Sequence, residues 1–193
     1  MKKFVTAMTA MIVTAVIVFS VYTVAFFSDS AGQGKVITIA GGNVSGELIE
    51  VTIPEPGAQP VYGPTEMRIR PGAAVEKSVS VENTGTLAMY LRVTVDKKIV
   101  LSEANEGSDV DTSLVSFNLN ATYWEEREGF YYYREPLMPD QTTEPLFTTV
   151  SFAPEMGNTY TNSTITLDVK AYATQVSDNG ASVFEVQHWP AVQ

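Results

Sequence analysis

Cysteine is absent from this chain, and histidine occurs only once, as His188. Without cysteine there is no disulfide, no thiol nucleophile and no thiolate metal ligand. A single histidine cannot form a two-histidine zinc site, and the sequence contains no HExxH, G-x-S-x-G or phosphate-binding glycine motif. We therefore expect no catalytic residue, no bound metal and no cofactor, and a protein that is not an enzyme.

Positive charge is also scarce. The 193 residues include 12 Lys and Arg against 22 Asp and Glu, which gives a formal net charge of −10. Such a surface repels the phosphates of nucleic acids and anionic lipid headgroups. The composition therefore excludes nucleic acid as a partner, and we expect contact with a membrane only through an uncleaved N-terminal segment.

The N-terminus has the composition of an export signal. Lys2-Lys3 precede an apolar run without charge from Val5 to Val24, and a polar segment follows. This pattern predicts a helical signal peptide over residues 1–25, cleaved between Ala25 and Phe26. The alternative is a retained membrane anchor, because the apolar run approaches the roughly 20 residues that span a bilayer.

Cleavage after residue 25 leaves 168 of the 193 residues, a size suited to one domain with a full core. Ten basic residues then remain against 22 acidic ones, a formal charge of −12. We divide this part into an N-terminal segment, residues 26–40, and a single domain, residues 41–193. Because no cysteine is present, the stability of the domain must come from its core or from neighbouring subunits.

The exported part lacks the periodicity of helices. No long segment carries a 3.6-residue apolar stripe, whereas β-branched and aromatic residues alternate with polar ones in short runs. Nine strands are predicted: Val36–Ile39, Leu48–Ile53, Met67–Arg70, Val75–Glu82, Met89–Val95, Ser116–Trp124, Phe130–Tyr133, Thr148–Phe152 and Thr164–Ala173. The expected fold class is all-β, a single β-sandwich of the jelly-roll or immunoglobulin-like type.

Two groups of acidic residues have the composition of a functional site. Ser102–Asp111 holds four acids that could bind calcium, but it lacks the ligand spacing of an EF-hand, and a solvated loop is the other interpretation. Glu125-Glu126 and Glu128 could form the acid pair of a glycosidase. They flank a predicted hairpin turn, however, and we interpret them as solvated turn charges.

Four consecutive aromatic residues occupy Phe130–Tyr133. In a strand, alternate side chains face opposite sides, and we predict that Tyr131 and Tyr133 form an exposed aromatic row. Such a row could stack on sugars or pack against a partner protein. The alternative is an aromatic edge that is covered by the Pro-rich loop after it.

Three stretches, taken in order, resemble one family. The first is Ala25-Phe26-Phe27-Ser28-Asp29 at the cut site. The second begins with Arg70-Pro71-Gly72, continues through a strand to Asn83-Thr84-Gly85, and leads into another strand from Tyr90. The third is Gly129–Tyr133, followed by Thr142–Phe147. The chain resembles the TasA and camelysin family, exported β-sandwich proteins of Gram-positive bacteria. Precursors in that family are processed by SipW-type signal peptidases.

The resemblance implies a secreted subunit of extracellular fibres in the biofilm matrix or at the cell surface, which polymerises with copies of itself. The implied partners are those copies and a SipW-type signal peptidase, and other matrix or surface proteins are further candidates. In such relatives the N-terminal segment of one subunit can complete the sheet of the next. An extended strand at an open sheet edge gains main-chain hydrogen bonds.

The candidate polymerisation residues are Phe26, Phe27, Val36, Ile37 and Ile39. The alternative is that Val36–Ile39 forms the first strand of its own sandwich. A surface adhesin or carbohydrate-binding module, using the aromatic row, is the second functional hypothesis. The third is a metallopeptidase, since camelysin has been classed as one, but a single histidine does not support it.

Overall fold

The computed structural model describes residues 36–40 and 44–192. The predicted signal peptide, its cleavage site at Ala25 and Phe26, and the neighbouring Phe27 lie outside these residues. The described chain forms eleven strands: β1 Val36–Ala40, β2 Gly46–Ile53, β3 Val61–Tyr62, β4 Met67–Arg68, β5 Ala74–Asn83, β6 Met89–Val100, β7 Val115–Phe117, β8 Trp124–Arg127, β9 Phe130–Tyr133, β10 Thr149–Phe152 and β11 Thr164–Gln175.

Helical structure in the described residues is limited to five 3-10 turns of three residues each: Glu103–Asn105, Thr112–Leu114, Pro154–Met156, Asn158–Tyr160 and Val183–Glu185. None of the helices in this part of the chain is long and apolar enough to cross a membrane. The expectation of an almost entirely extended chain is confirmed for the described residues.

The strands form two sheets. The long sheet has the order β1-β11-β6-β9-β8, with β4 also paired to β11, and the second sheet has the order β3-β2-β5-β10-β7. The pairing of β1 with β11 is parallel, and the other strand pairs are antiparallel. Buried side chains from both sheets form one hydrophobic cluster. The predicted all-β sandwich is therefore confirmed.

Part of the strand order matches an immunoglobulin-like sandwich and part of it does not, because β8 and β9 extend the long sheet beyond β6 but come between β7 and β10 in the chain, and β3 lies beside β2. β2, β5, β10 and β7 lie in the order of strands A, B, E and D, and β6 pairs with β11 as C pairs with F. In that arrangement a final strand, G, lies beside F. Here the first strand, β1, lies beside β11, and no strand follows β11 in the described residues.

Alternation along the strands determines which side chains enter the core. In β11, the inward row of Ile165, Leu167, Val169, Ala171 and Ala173 is at most 2% exposed. These are the residues that sequence alternation places on one face, because successive side chains of a strand point to opposite sides of the sheet. The long apolar row of β11 thus belongs to the hydrophobic core.

The inward rows of β2 and β5 contain two opposite charges. Lys77 donates from Nζ to Oε2 of Glu50 over 2.6 Å, and their side chains are 0% and 2% exposed. Lys77 Nζ also donates to Oγ1 of Thr52, 3.4 Å away. The core of the second sheet therefore holds a buried ion pair.

One predicted strand is wrong. The sequence predicts a single strand over Ser116–Trp124, but the structure has β7 and β8 with a loop between them. In this loop, Oδ1 of Asn118 accepts hydrogen bonds from the backbone N–H groups of Thr148 and Thr149 at 2.9 and 2.7 Å. Because the asparagine side chain takes the place of a backbone partner, the ladder ends there.

The lengths of other strands also differ from the predictions. Met67–Arg70 contains only the two-residue β4, whereas β6 continues five residues beyond the predicted end at Val95. The two-residue β3 was not predicted, because a pair of residues carries no alternation.

The turns follow the chemistry of their residues. Glu128 and Gly129 join β8 to β9, and both have positive φ, 53° and 80°, as a two-residue hairpin turn requires. This confirms the predicted hairpin. The connection after Asn83 instead crosses between the sheets, and the Asn83 side chain fixes it by donating from Nδ2 to the backbone oxygens of Leu87 and Leu137 at 2.9 and 2.8 Å.

Candidate functional site

The candidate site is the edge of the long sheet where β1 lies. Val36, Ile37 and Ile39 of β1 stand opposite Lys170, Ala171 and Ala173 of β11 in a parallel register. The structure of the single chain therefore has the predicted strand Val36–Ile39 in its own sandwich. Exchange of this strand between subunits stays a prediction.

The two sides of β11 are paired very differently. On one side β6 pairs with all twelve residues, from Thr164 to Gln175. On the other side β4 pairs with two residues and β1 with five, and no described strand pairs with residues 166–169. The β1 side of β11 is thus a partly filled edge.

The five β1 pairs form the parallel ladder among the described strands. Parallel pairs have slanted hydrogen bonds and are slightly less stable per residue than antiparallel pairs. A short edge strand also has a neighbour on only one side. An identical strand from a second copy would make the same main-chain bonds to β11, so exchange costs little at equilibrium.

The other three sheet edges are poor sites for strand addition. β3 and β7 are only two and three residues long. β8 carries charged side chains, and Glu125 pairs with Arg127 and Arg134 through contacts of 2.6 Å each. Short and charged edge strands are the devices that prevent edge-to-edge association.

The hydrogen bond from Arg127 is the main reason that the pKa of Glu125 lies below its ordinary value of 4.5. The charges of Arg127 and Arg134 lower it further. Glu125 therefore stays ionised at neutral pH, and the charged state of the β8 edge is stable.

The predicted exposed row of Tyr131 and Tyr133 is wrong. Tyr133 is 8% exposed and its ring lies 5.0 Å from that of Trp124, while Tyr131 is half-buried with its ring 5.6 Å from that of Phe117. Both residues face the core because Tyr133 pairs directly with the buried Trp124. Burial raises the pKa of both phenols.

The outward residues of the same strand, Phe130 and Tyr132, are covered as well. The rings of Phe184 and Trp189, from the C-terminal segment, lie 5.8 and 5.9 Å from the ring of Tyr132. The predicted alternative was a covered aromatic edge. For these outward residues the cover comes from the C-terminal segment, whereas the loop after β9 packs on the inward side, where Nε1 of Trp124 donates to the backbone oxygen of Glu144.

Sequence reasoning missed Arg92, which lies at the centre of this cover. Its guanidinium carbon is 3.9 Å from the centre of the Phe130 ring and 4.5 Å from that of Trp189. Arg92 stands opposite Tyr132 on β9 and opposite Tyr172 on β11. We call these five residues the aromatic–arginine cluster. The register of β6 with β9 and β11 brings these residues together, and this register appears only with the fold.

The other polar candidates do not gather into a site. In residues 44–192, no three His, Asp or Glu side chains come together in a way that could hold a metal ion. The four acids of Ser102–Asp111, suggested for calcium, are included in that statement. His188 is exposed, and its Nδ1 lies 3.3 Å from Oδ1 of Asn179.

Comparison with models of protein families, with curated proteins and with solved structures finds no match to this chain. The resemblance to the TasA and camelysin family therefore stays a prediction from the sequence.

Proposed function

We propose that this chain is an exported structural subunit that polymerises head to tail by exchange of β1, as the resemblance to the TasA and camelysin proteins implies. The resulting fibres belong to the extracellular matrix or the cell surface. The protein acts by assembly and not by catalysis. Its principal partner is a second copy of itself, and a SipW-type peptidase releases it from its signal peptide.

The observation that supports this proposal most directly is the position of β1. A strand from the start of the chain occupies the place beside β11 that the last strand of an immunoglobulin-like sandwich would occupy. An extended segment of a neighbouring molecule can add to such a sheet edge by β-strand addition. Because donor and acceptor are different surfaces of one molecule, the contact repeats without closing.

The adhesin hypothesis loses its support from the described residues. It depended on an exposed aromatic row, and Tyr131 and Tyr133 face the core. The remaining large aromatic residues with exposed rings, Tyr62 and Tyr123, lie on β3 and before β8 and do not form a row on one strand.

The absence of cysteine permits a direct test by disulfide trapping. Val36 and Lys170 are paired residues of β1 and β11, and cysteines at paired positions of adjacent strands are close enough to bridge. Val36→Cys and Lys170→Cys are made as separate proteins, mixed in equal amounts and oxidised. Exchange predicts a disulfide between the two different chains, together with filaments in negative-stain electron microscopy.

The matched control mixes Val36→Cys with Glu82→Cys, since Glu82 lies on β5 in the second sheet. This pair should remain unlinked. A chain that begins at residue 44 and so lacks β1 should form no filaments. A third protein carries both Val36→Cys and Lys170→Cys. If this double variant forms an internal disulfide and stays monomeric, while the two single variants do not link to each other, exchange does not occur.

A further inference from the structure

The buried pair of Lys77 and Glu50 has no part in the proposed assembly, because both side chains face the core of the second sheet. The two residues lie on neighbouring antiparallel strands, with Lys77 opposite Thr52 and Glu50 opposite Val79. They are therefore diagonal neighbours on one face. Lys77 Nζ is 2.6 Å from Oε2 of Glu50.

Apart from the buried hydroxyl of Thr52, the neighbours of the pair in these inward rows are apolar. Leu48 of β2 and Val79 and Val81 of β5 occupy the same inward rows and are at most 1% exposed. Among the described residues, neither Lys77 nor Glu50 has a second ion-pair partner. Two ions held away from water lose hydration that their mutual attraction only partly replaces, so a reaction that removes both charges is favoured there.

We propose that Lys77 and Glu50 condense to an amide that covalently joins β2 to β5. A proton first passes along the hydrogen bond from Nζ to Oε2, which leaves a neutral amine and a carboxylic acid. The nitrogen lone pair then attacks Cδ of Glu50 and forms the C–N bond. The bond from Cδ to the protonated oxygen breaks, and this oxygen leaves as water with a second proton from the nitrogen.

The reaction needs no oxidant, reductant or other reactant, since the products are one secondary amide and one water. The link closes the chain between residues 50 and 77 into a covalent loop. In a protein without cysteine, such a link restricts the unfolded chain as a disulfide would. It also places the cross-link between A and B strands of the sandwich, in the part of the molecule that does not exchange.

Mass spectrometry of the folded full chain tests this proposal. The expected mass is lower than the mass of the sequence by one water. Digestion with trypsin should give no cleavage after Lys77, because an acylated lysine is not a trypsin site, and should yield one joined peptide that contains both residues.

The control is the double variant Lys77→Met with Glu50→Leu, which replaces both ions with apolar side chains and cannot form the link. Its mass should equal that of its sequence. If the unaltered protein has its full sequence mass after folding and is cleaved after Lys77, the pair is an ion pair only and the proposal is overturned. That result would leave the disulfide-trapping test of β1 exchange unaffected.

Discussion

The outer faces of the two sheets differ, although their inner faces share one core. On the long sheet, the chain after β11 covers the outward side chains of β9, β6 and β11, so that Tyr172 and Thr174 are only 1% exposed. On the second sheet, the outward Ser78 and Ser80 of β5 stay partly exposed. The long sheet is therefore buried on both faces at this end, and the second sheet on one.

The outward row of a strand can thus be buried as completely as its inward row. Tyr90, Arg92 and Tyr172 belong to outward rows, and the C-terminal segment encloses them. Antiparallel sheets commonly keep one face in water, but a chain end with aromatic residues can cover that face. Substitutions on the two outer faces should consequently have unequal effects on stability.

The largest effect is expected for Tyr172→Ala, on the outer face of the long sheet that the C-terminal segment covers; we call this the covered face. This change removes a fully buried ring that contacts Phe130, and we expect the free energy of unfolding to fall by about 3–5 kcal/mol. Ser80→Ala on the second sheet should change it by less than about 0.5 kcal/mol. Urea unfolding of both variants checks this. Equal effects would mean that the two outer faces are alike.

Trp189→Ala should have the next largest effect. The change removes a ring that lies against the Arg92 guanidinium and meets the Tyr132 ring edge to face, and the loss should be about 1–2 kcal/mol. Trp189→Phe keeps an aromatic ring there and should retain most of the stability. The covered face would be stable without the C-terminal segment if Trp189→Ala unfolded at the same urea concentration as the unaltered protein.

Two tyrosine hydroxyls lie on the outer face of the long sheet that the C-terminal segment covers. The hydroxyl of Tyr90 donates to the backbone oxygen of Gly180 at 3.3 Å, whereas that of Tyr172 is buried and has no hydrogen-bond partner in the part of the chain that the structure describes. Tyr90→Phe should therefore cost about 0.5–1.5 kcal/mol, and Tyr172→Phe should cost nothing or raise stability. Thermal unfolding measures both. A greater loss for Tyr172→Phe would show that its hydroxyl has a partner in solution.

The smallest effect concerns the exposed β8 edge. Because ion pairing lowers the pKa of Glu125 in the folded state, its stabilising contribution is present above pH 4.5 and is lost as the pH falls through the folded value. The stability difference between the unaltered protein and Glu125→Gln should shrink between pH 7 and pH 3. A difference that stays constant over this range would contradict the ion-pair account.

Much of the sandwich could be predicted because alternation is a property of the sequence itself. The inward rows of β5 and β11 follow directly from it, and so does the β8–β9 hairpin with its Glu128-Gly129 turn. Alternation alone does not determine which of the two rows of a strand faces the core when both rows are aromatic, as they are in β9. For Tyr131 and Tyr133, the pairing of Tyr133 with Trp124 decided it.

The remaining features depend on residues that are distant in sequence. The Asn118 side chain ends β7 by bonding to the backbone of Thr148 and Thr149, thirty residues away. The aromatic–arginine cluster joins four separate segments of the chain, and Lys77 meets Glu50 only after β2 and β5 pair. Local patterns carry no information about such contacts, so they appear only with the fold.

The pairing of β1 with β11 has a consequence for the order of folding. Val36 pairs with Lys170, a sequence separation of 134 residues, so the first strand has no partner until the last strand exists. Contacts of this separation carry the largest loop-closure cost and form late. During synthesis from the N-terminus, β1 therefore exists well before its own β11, and the pairing of these two strands belongs to the last steps of folding.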